Sequence, residues 1–295
     1  MKYATAAAFR AALERRLQNR SKQTGMSLVR LRKAVVFDRL LARLVAVAPG
    51  RWVLKGALAL DYRLGMRTRT TKDVDVGRSD DEEAATADLL SAQAADLGDF
   101  FVFVVQRTDR LNQLREGAAV RYHVDCQLAG RLFDAIIVDV AFGDPIVDAP
   151  DMLRGPDLLV FAGMEPVEVP AIRLSQHIAE KVHAYARAYG AGGVQSTRVK
   201  DLVDLVLIAE AAELDAGELR AALGRAFGGR GAQPLPAELP RPPEAWRVPY
   251  RRMAGEVGLT TDLGAAHVVA AALLNPVLGG RVRSGRWDPS TRSWR

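Results

Sequence analysis

Three aspartates on predicted strands are the residues best suited to chemistry. Asp73 and Asp75 alternate with valines in a short polar–apolar pattern, and Asp139 interrupts an apolar run at 136–140. Aspartate is disfavoured in strands. Because successive side chains of a strand point to opposite faces, we expect Asp73 and Asp75 on one face. Two carboxylates there repel each other unless they are solvated or bind a cation.

The three carboxylates would form a site of hard oxygen ligands if the strand that carries Asp139 lies beside Asp73 and Asp75. Mg²⁺ binds through one or two carboxylates together with substrate phosphates. Two such ions about 4 Å apart stabilise the attacking and leaving oxygens of a phosphoryl transfer. The alternative is that Asp73 and Asp75 end a strand at a solvated edge, because an isolated D-x-D pattern is common.

Lys55 and Gly56 favour the first interpretation. They join a short predicted strand (52–56) to a helix (57–64) that precedes Asp73 in the chain. Glycine lets the backbone approach a triphosphate closely, and the N-terminus of a helix favours anions. The chain contains no Walker-type phosphate-binding motif, which excludes a P-loop.

The order of the predicted elements indicates an α+β fold. Region 1–50 is interpreted as N-terminal basic helices, region 51–150 as a mixed core and region 151–295 as a mainly helical domain. The spacing of apolar residues predicts helices at 5–19, 27–47, 80–96, 172–189, 197–212, 215–227 and 262–274, and strands at 73–76, 100–106, 120–127 and 133–142.

Composition excludes several classes of protein. Of the 295 residues, 49% are hydrophobic and 26% are charged, which is near the globular average and argues against disorder. No apolar run reaches the roughly 18 residues of a membrane span, and Met1–Arg20 lacks the apolar core of a signal peptide. The single cysteine, Cys126, excludes an internal disulfide and a cysteine-rich zinc site. We therefore expect a cytoplasmic protein with no membrane partner.

Positive charge is concentrated at the two ends of the chain. Residues 1–50 carry a net charge of +9 and residues 276–295 carry +4, whereas the segment between them carries −7. Clustered Lys and Arg side chains neutralise phosphates, so a nucleic acid is one partner that this distribution suggests. Solvated helix faces are the alternative. Trp246 and Tyr250 lie among four arginines and are candidates to stack on bases.

Four groups of motifs follow one another in an order typical of a known family. They are LKGALAL (54–60) with DVD (73–75), IVDVAFGD (137–144), IAEKVHA (178–184) and RVKDLVDL (198–205). With them the chain resembles the AbiEii/AbiGii-type (MenT-like) nucleotidyltransferase toxins, which belong to the polymerase-β-like nucleotidyltransferase superfamily. One departure is Ala57, where the family usually has a second glycine. Its methyl group either crowds a phosphate or faces away.

The resemblance implies a polymerase-β-like nucleotidyltransferase core, in which helices flank a mixed sheet, joined to a helical C-terminal half. It also implies the toxin of a toxin–antitoxin system, which transfers NMP from an NTP to an RNA acceptor with Mg²⁺ or Mn²⁺. The acceptor that the family suggests is the tRNA 3′ end, and its modification would block translation and growth. The expected partners are an NTP, a tRNA and a cognate antitoxin protein.

The same resemblance assigns catalytic roles. Asp73 and Asp75 would bind both metal ions, and Asp139 would bind the catalytic ion. Lys181 would hold the triphosphate, since a compact ammonium suits a phosphate. Asp201 would orient Lys181 or the nucleotide. Without the family, Lys181 is interpreted as an ordinary surface lysine.

Further residues would bind the nucleotide according to the resemblance. Lys55, Gly56 and Thr71 would shape the turn around the phosphates, and Arg198 would contact phosphate or RNA. Asp204 competes with the aspartate three residues before it for the orienting role. A phosphate on Thr71 would add nearly two negative charges beside the metal-binding carboxylates and block entry of the triphosphate.

Two other functions are compatible with the sequence. The first is nucleotidyl transfer to a protein or small-molecule hydroxyl, as in AMPylating relatives. The second is a basic RNA-binding module without catalysis. This module would bind RNA in a salt-sensitive way and would keep that binding after Asp73→Ala.

Overall fold

The computed structural model describes residues 2–111, 119–143, 148–189, 194–195, 198–228 and 234–295. The chain forms two compact units. The first comprises Met1–Met66 and Thr70–Ile172, and the second comprises Arg67–Arg69 and Arg173–Arg295. The first boundary inferred from the sequence, at residue 50, lies inside the first unit, and the second, at residue 150, precedes the unit boundary at Ile172.

The first unit is built on a mixed sheet. In chain order its described strands are β1 (Val53–Lys55), β2 (Asp73–Arg78), β3 (Phe101–Leu111), β4 (Ala119–Leu128), β5 (Arg131–Phe142), β6 (Asp151–Arg154) and β7 (Glu168–Ala171). Their order across the sheet is β3-β4-β5-β2-β1-β7-β6. Strand β2 runs parallel to β5, and β1 runs parallel to β7, whereas the other neighbouring strands are antiparallel.

Three of the described helices of the first unit begin directly after a side chain that caps the helix N-terminus. The described helices of this unit are α1 (Ala6–Thr24), α2 (Leu28–Val47), α3 (Gly56–Arg63) and α4 (Glu82–Ala94), with a short 3-10 helix at Val160–Ala162. Thr5 caps α1 by accepting a hydrogen bond from the backbone N–H of the third residue after it, and Ser27 and Asp81 cap α2 and α4 in the same way. Such caps satisfy N–H groups that have no partner inside the helix.

Alternation along the strands decides which face of the sheet is packed. Val74 and Val76 of β2 are buried, and so are their register partners Val138 and Val140 of β5. Each buried valine contributes about 1.5–3 kcal/mol relative to an exposed one. Because the side-chain period is two, this burial turns the aspartates between the valines to the opposite face.

The second unit is mainly helical. Its described helices are α5 (Leu174–Ala186), α6 (Val199–Ala211), α7 (Ala216–Phe227), α8 (Arg247–Glu256) and α9 (Leu263–Leu278), with a 3-10 helix at Glu244–Trp246. Short strands β8 (Ala188–Tyr189) and β9 (Val194–Gln195) pair with each other, and β10 (Leu214–Asp215), β11 (Arg286–Asp288) and β12 (Ser293–Trp294) form a small sheet. Helix α6 is buried along almost its whole length, which makes it the centre of this unit.

The predicted α+β class is confirmed. Strands β6 and β7 and helix α8 were not predicted, and the helix predicted at 172–189 ends at Ala186 because the chain then extends into β8. Residues 190–193 and 196–197 and the last residue of the motif at 137–144 lie outside the described part of the chain. Among the described residues, no helix has both the length and the apolar character needed to span a bilayer.

Candidate active site

The three strand aspartates lie on one face of the sheet. Asp75 of β2 is the register partner of Asp139 of β5, and Asp73 faces Ile137 in the same parallel pair. Register partners on adjacent strands point to the same side, and so do residues two apart on one strand. All three carboxylates are therefore neighbours on the face opposite the buried valines, and all three are partly exposed.

Two basic residues extend this arrangement across four strands. Lys55 of β1 is the register partner of Asp75, and Arg121 of β4 is the register partner of Asp139. The line Lys55, Asp75, Asp139, Arg121 has two carboxylates in the middle and a basic residue at each end, and we call these four residues the charged row. Cross-strand neighbours of opposite charge stabilise a sheet by roughly 0.2–1 kcal/mol per pair.

Gly56 is required by the position of Asp75. Its φ is +62°, which L side chains rarely adopt, and a Cβ atom built on it would lie 1.8 Å from Oδ2 of Asp75. The carboxylate thus occupies the space that any side chain at residue 56 would need, directly at the start of α3. Ala57 stands where the family usually has a second glycine. It is only 5% exposed, so its methyl group is packed against protein.

Arg121 holds both carboxylate oxygens of Asp139. Its Nε lies 2.8 Å from Oδ1 and its Nη2 lies 2.7 Å from Oδ2. The hydrogen bond to Asp139 raises the pKa of Arg121, and the negative charges of Asp139, Asp73 and Asp75 raise it further against the effect of burial. The side chain of Arg121 is 36% exposed and that of Asp139 is 20% exposed.

Thr71 lies beside the first carboxylate along the backbone. Its Oγ1 is 3.4 Å from the backbone nitrogen of Asp73 and 3.3 Å from the carbonyl oxygen of Asp73. The hydroxyl is partly buried. Thr71 therefore fixes the turn that leads the chain into β2.

The donor set of the carboxylate face fits a divalent cation in its chemistry. Mg²⁺ takes oxygen ligands and uses one or two carboxylates with substrate phosphates, and Asp73 and Asp75 supply such a pair. Among the described residues, no three His, Cys, Asp or Glu side chains stand close enough to ligate one ion together. Asp139 is the member of the set whose two oxygens are already held by Arg121.

A second group of charged residues lies inside the helical unit. Lys181 of α5 donates to Oδ2 of Asp204 at 2.6 Å and lies 3.5 Å from Oδ1 of Asp201. Arg69 contacts both oxygens of Asp204 at 3.2 and 3.3 Å, and Arg198 donates to Asp201 at 2.6 Å. We call these five residues the buried ion cluster.

The cluster has its carboxylates and Lys181 inside and its two arginines toward the solvent. The side chains of Asp204 and Asp201 are 0% and 1% exposed, whereas those of Arg69 and Arg198 are 16% and 41% exposed. Burial opposes ionisation of Asp204, but the charges and hydrogen bonds of Lys181 and Arg69 outweigh it and lower its pKa. Three cations and two carboxylates leave the cluster with a net positive charge, which suits an anionic ligand.

The residues singled out from the sequence fall into two groups. Lys55, Gly56, Thr71 and the three strand aspartates belong to the first unit, and Lys181, Arg198, Asp201 and Asp204 belong to the second.

Sequence reasoning missed Arg121 and Arg69. Arg121 stands at an alternating polar position of its strand, and Arg69 lies in an arginine- and threonine-rich stretch. Neither pattern indicates which carboxylate the arginine contacts. The idea that Trp246 and Tyr250 stack on bases is wrong, because these side chains pack inside the helical unit and are 6% and 0% exposed.

Comparison with known proteins identifies the family. Residues 39–273, well over half of the chain, match the family model for the nucleotidyl transferase AbiEii toxin of type IV toxin–antitoxin systems. The chain belongs to this family. The strand aspartates, Lys181, Asp201 and Asp204 all lie within the matched region of this AbiEii member. No curated protein matches the sequence.

Solved structures also match this AbiEii chain. MenT4, a nucleotidyltransferase toxin from Mycobacterium tuberculosis H37Rv, is 22% identical with a TM-score of 0.53, and the match covers 93% of this chain and 99% of that one. JHP933 from Helicobacter pylori is 12% identical with a TM-score of 0.46, and the match covers 84% of this chain and 93% of that one. The first match shows that 93% of this chain shares the fold of MenT4.

Proposed function

We propose that the protein is a metal-dependent nucleotidyltransferase toxin that transfers NMP from an NTP to an RNA acceptor, the tRNA 3′ end. The observation that carries the proposal is the shared face of Asp73, Asp75 and Asp139 on two adjacent parallel strands. Carboxylates at adjacent strand positions serve no packing purpose and repel one another. Their arrangement is explained by a reaction in which negative charge on phosphate must be neutralised.

The reaction forms one bond and breaks one bond. The oxygen of the acceptor 3′ hydroxyl attacks the α-phosphorus of the NTP, and the hydroxyl proton passes to a base or to water. The bond between the α-phosphorus and the oxygen that bridges to the β-phosphate breaks, and pyrophosphate leaves. Mg²⁺ or Mn²⁺ ions, each held by some of the carboxylates of Asp73, Asp75 and Asp139, would supply charge neutralisation. Asp139 would also favour loss of the hydroxyl proton. Gly56, at the start of α3, lets the backbone come close to the phosphates.

Lys181 and Arg198 are proposed to bind the triphosphate, with Asp201 and Asp204 as positioning residues. Within the described part of the chain, the contacts of the Lys181 ammonium are to Asp204 and Asp201. An ammonium has three N–H donors, so one donor can still reach a phosphate oxygen. Arg69 adds a further cation to this cluster.

The RNA acceptor is proposed from charge and from the family. The first fifty residues carry a net charge of +9, and clustered Lys and Arg side chains bind phosphate backbones. The family of type IV toxin–antitoxin toxins implies a cognate antitoxin as a protein partner. A tRNA acceptor would place the activity in the cytoplasm.

A labelling assay tests the proposal. The full chain is incubated with each α-labelled NTP and Mg²⁺, together with either a deproteinised tRNA pool or an RNase-treated protein pool. We expect label in tRNA and a loss of at least about 100-fold in Asp139→Asn, because one carboxylate of the metal-binding set is removed. The matched control is Asp125→Asn, on the same sheet opposite Ala135 in register, which should keep full activity.

The same assay separates the alternatives. Label in the protein pool alone would contradict the RNA acceptor and favour transfer to a protein hydroxyl. Absence of label in both pools, together with RNA binding that survives Asp73→Ala, would contradict catalysis and favour an RNA-binding module.

A further inference from the structure

Arg121 occupies the place of a cation at the third carboxylate. The guanidinium donates to both oxygens of Asp139, at 2.8 and 2.7 Å. Two parallel bonds of this kind are stronger and more directional than a single ion-pair contact. The two residues are also register partners on antiparallel strands, so the pair is set by the sheet itself.

A divalent ion and the Arg121 guanidinium compete for the oxygens of Asp139. Mg²⁺ demands oxygen ligands at about 2.0–2.1 Å in near-octahedral geometry, whereas the guanidinium already uses one lone pair on each oxygen and leaves only the remaining ones for an ion. A positive charge beside the ion would also repel it at short range.

Solvent exposure makes the exchange feasible. The Arg121 side chain is 36% exposed, so it can rotate toward water without opening the core. Partly exposed ion pairs contribute little, about 1 kcal/mol or less. The pair with Asp139 therefore holds the carboxylate in place and can still be replaced by a stronger cation.

We propose that Arg121 competes with a divalent cation for Asp139 and so sets the affinity of the carboxylate face for metal. This inference rests on the proposed function, in which that face binds Mg²⁺ or Mn²⁺. Before metal binds, Arg121 neutralises Asp139, and Lys55 stands beside Asp75, so the charged row has no net charge. When metal binds, Arg121 leaves Asp139.

Direct binding of Mn²⁺ to the full chain without nucleotide tests the inference, with free Mn²⁺ followed by electron paramagnetic resonance. We expect Arg121→Gln to bind Mn²⁺ about fivefold more tightly than the natural sequence, which corresponds to about 1 kcal/mol. Arg121→Lys keeps the charge and should bind within about threefold of the natural affinity. The control Arg131→Gln removes an exposed arginine from β5 and should leave the affinity unchanged.

A double substitution shows whether the effect passes through Asp139. Asp139→Asn should weaken Mn²⁺ binding, and adding Arg121→Gln to it should give no further tightening. A merely structural role for Arg121 would predict weaker binding on its removal, together with an altered near-ultraviolet circular dichroism spectrum.

The outcomes separate this inference from the proposed function. Equal or weaker Mn²⁺ binding by Arg121→Gln, in a variant whose circular dichroism is native, overturns the competition alone. Absence of Mn²⁺ binding in every variant overturns the competition, whereas label transfer that continues in EDTA would overturn the metal dependence of the proposed reaction. Tighter binding by Arg121→Gln in a protein that labels no acceptor supports the competition while contradicting the transfer reaction.

Discussion

The charged row on the sheet and the buried ion cluster in the helical unit are built from the same types of side chain, Asp, Lys and Arg, in different surroundings. Each has two carboxylates paired with Lys and Arg. In the row, the Arg121 and Asp139 side chains are 36% and 20% exposed. In the cluster, those of Lys181 and Asp204 are 8% and 0% exposed. The chemistry is shared, and the access of water is what differs.

This difference in exposure determines what each group can do. An exposed pair is worth about 0–1 kcal/mol and exchanges partners readily. Removing one member of a buried pair costs about 3–5 kcal/mol because a charge is left without compensation. The row is therefore suited to exchanging cations during a reaction, and the cluster is suited to holding its cations in fixed positions.

The largest expected effect is a difference in stability between two Asp→Asn substitutions. Asp204→Asn leaves Lys181 and Arg69 without their shared carboxylate and should lower the free energy of unfolding by about 3 kcal/mol. Asp139→Asn should change it by less than about 1 kcal/mol. Urea denaturation followed by circular dichroism measures both, and similar values for the two variants would break the contrast between row and cluster.

A smaller effect is expected from the glycine that accommodates the row. Gly56→Ala places a methyl group where Oδ2 of Asp75 lies, so nucleotidyl transfer should fall by about 100-fold as the carboxylate is displaced. Gly65→Ala is the matched control, because Gly65 has nearly the same φ (+63°) and nothing within 4 Å of the added Cβ. Both variants carry the strain of about 1–2 kcal/mol from a positive φ. Equal activity in the two variants would show that displacing the Asp75 carboxylate does not reduce nucleotidyl transfer.

The smallest effect is a pH dependence of the cluster. The folded-state pKa of Asp204 is lowered, so its contribution to stability is fully present above the ordinary pKa of aspartate, near 4. It is lost as the pH falls through the folded-state value. The stability difference between the natural sequence and Asp204→Asn should thus be constant from pH 8 to 5 and shrink below about pH 4. A difference that shrinks instead as the pH rises toward 8 would contradict the assigned direction.

The common face of Asp73 and Asp75 could be predicted from the sequence, because the side-chain period of a strand is local. The position of Asp139 beside Asp75 could not be derived in that way. It depends on which strands pair and in which register, and these pairings join residues far apart in the chain. The family resemblance suggested Asp139 as the third carboxylate. The parallel register of β2 and β5 shows that it lies beside Asp75.

Arg121 and Arg69 could not be predicted because their partners are set by tertiary structure. Arg121 faces Asp139 through the register of an antiparallel pair, and Arg69 reaches an aspartate 135 residues later in the chain.

Helix α8 was missed because Pro249 suggests an interruption. A proline in the first turn of a helix is tolerated, since the N–H groups there have no partner inside the helix.

The proposed reaction requires the carboxylate face to hold a divalent ion against the α-phosphate during transfer to RNA. Its most direct test is the rate of label transfer from an NTP and from its α-phosphorothioate, each in Mg²⁺ and in Mn²⁺. Sulfur binds Mg²⁺ poorly and the softer Mn²⁺ better. For the natural sequence we expect sulfur to slow transfer strongly in Mg²⁺ and Mn²⁺ to relieve that slowing. A thio effect that is the same in both ions, or transfer that continues in EDTA, would contradict it.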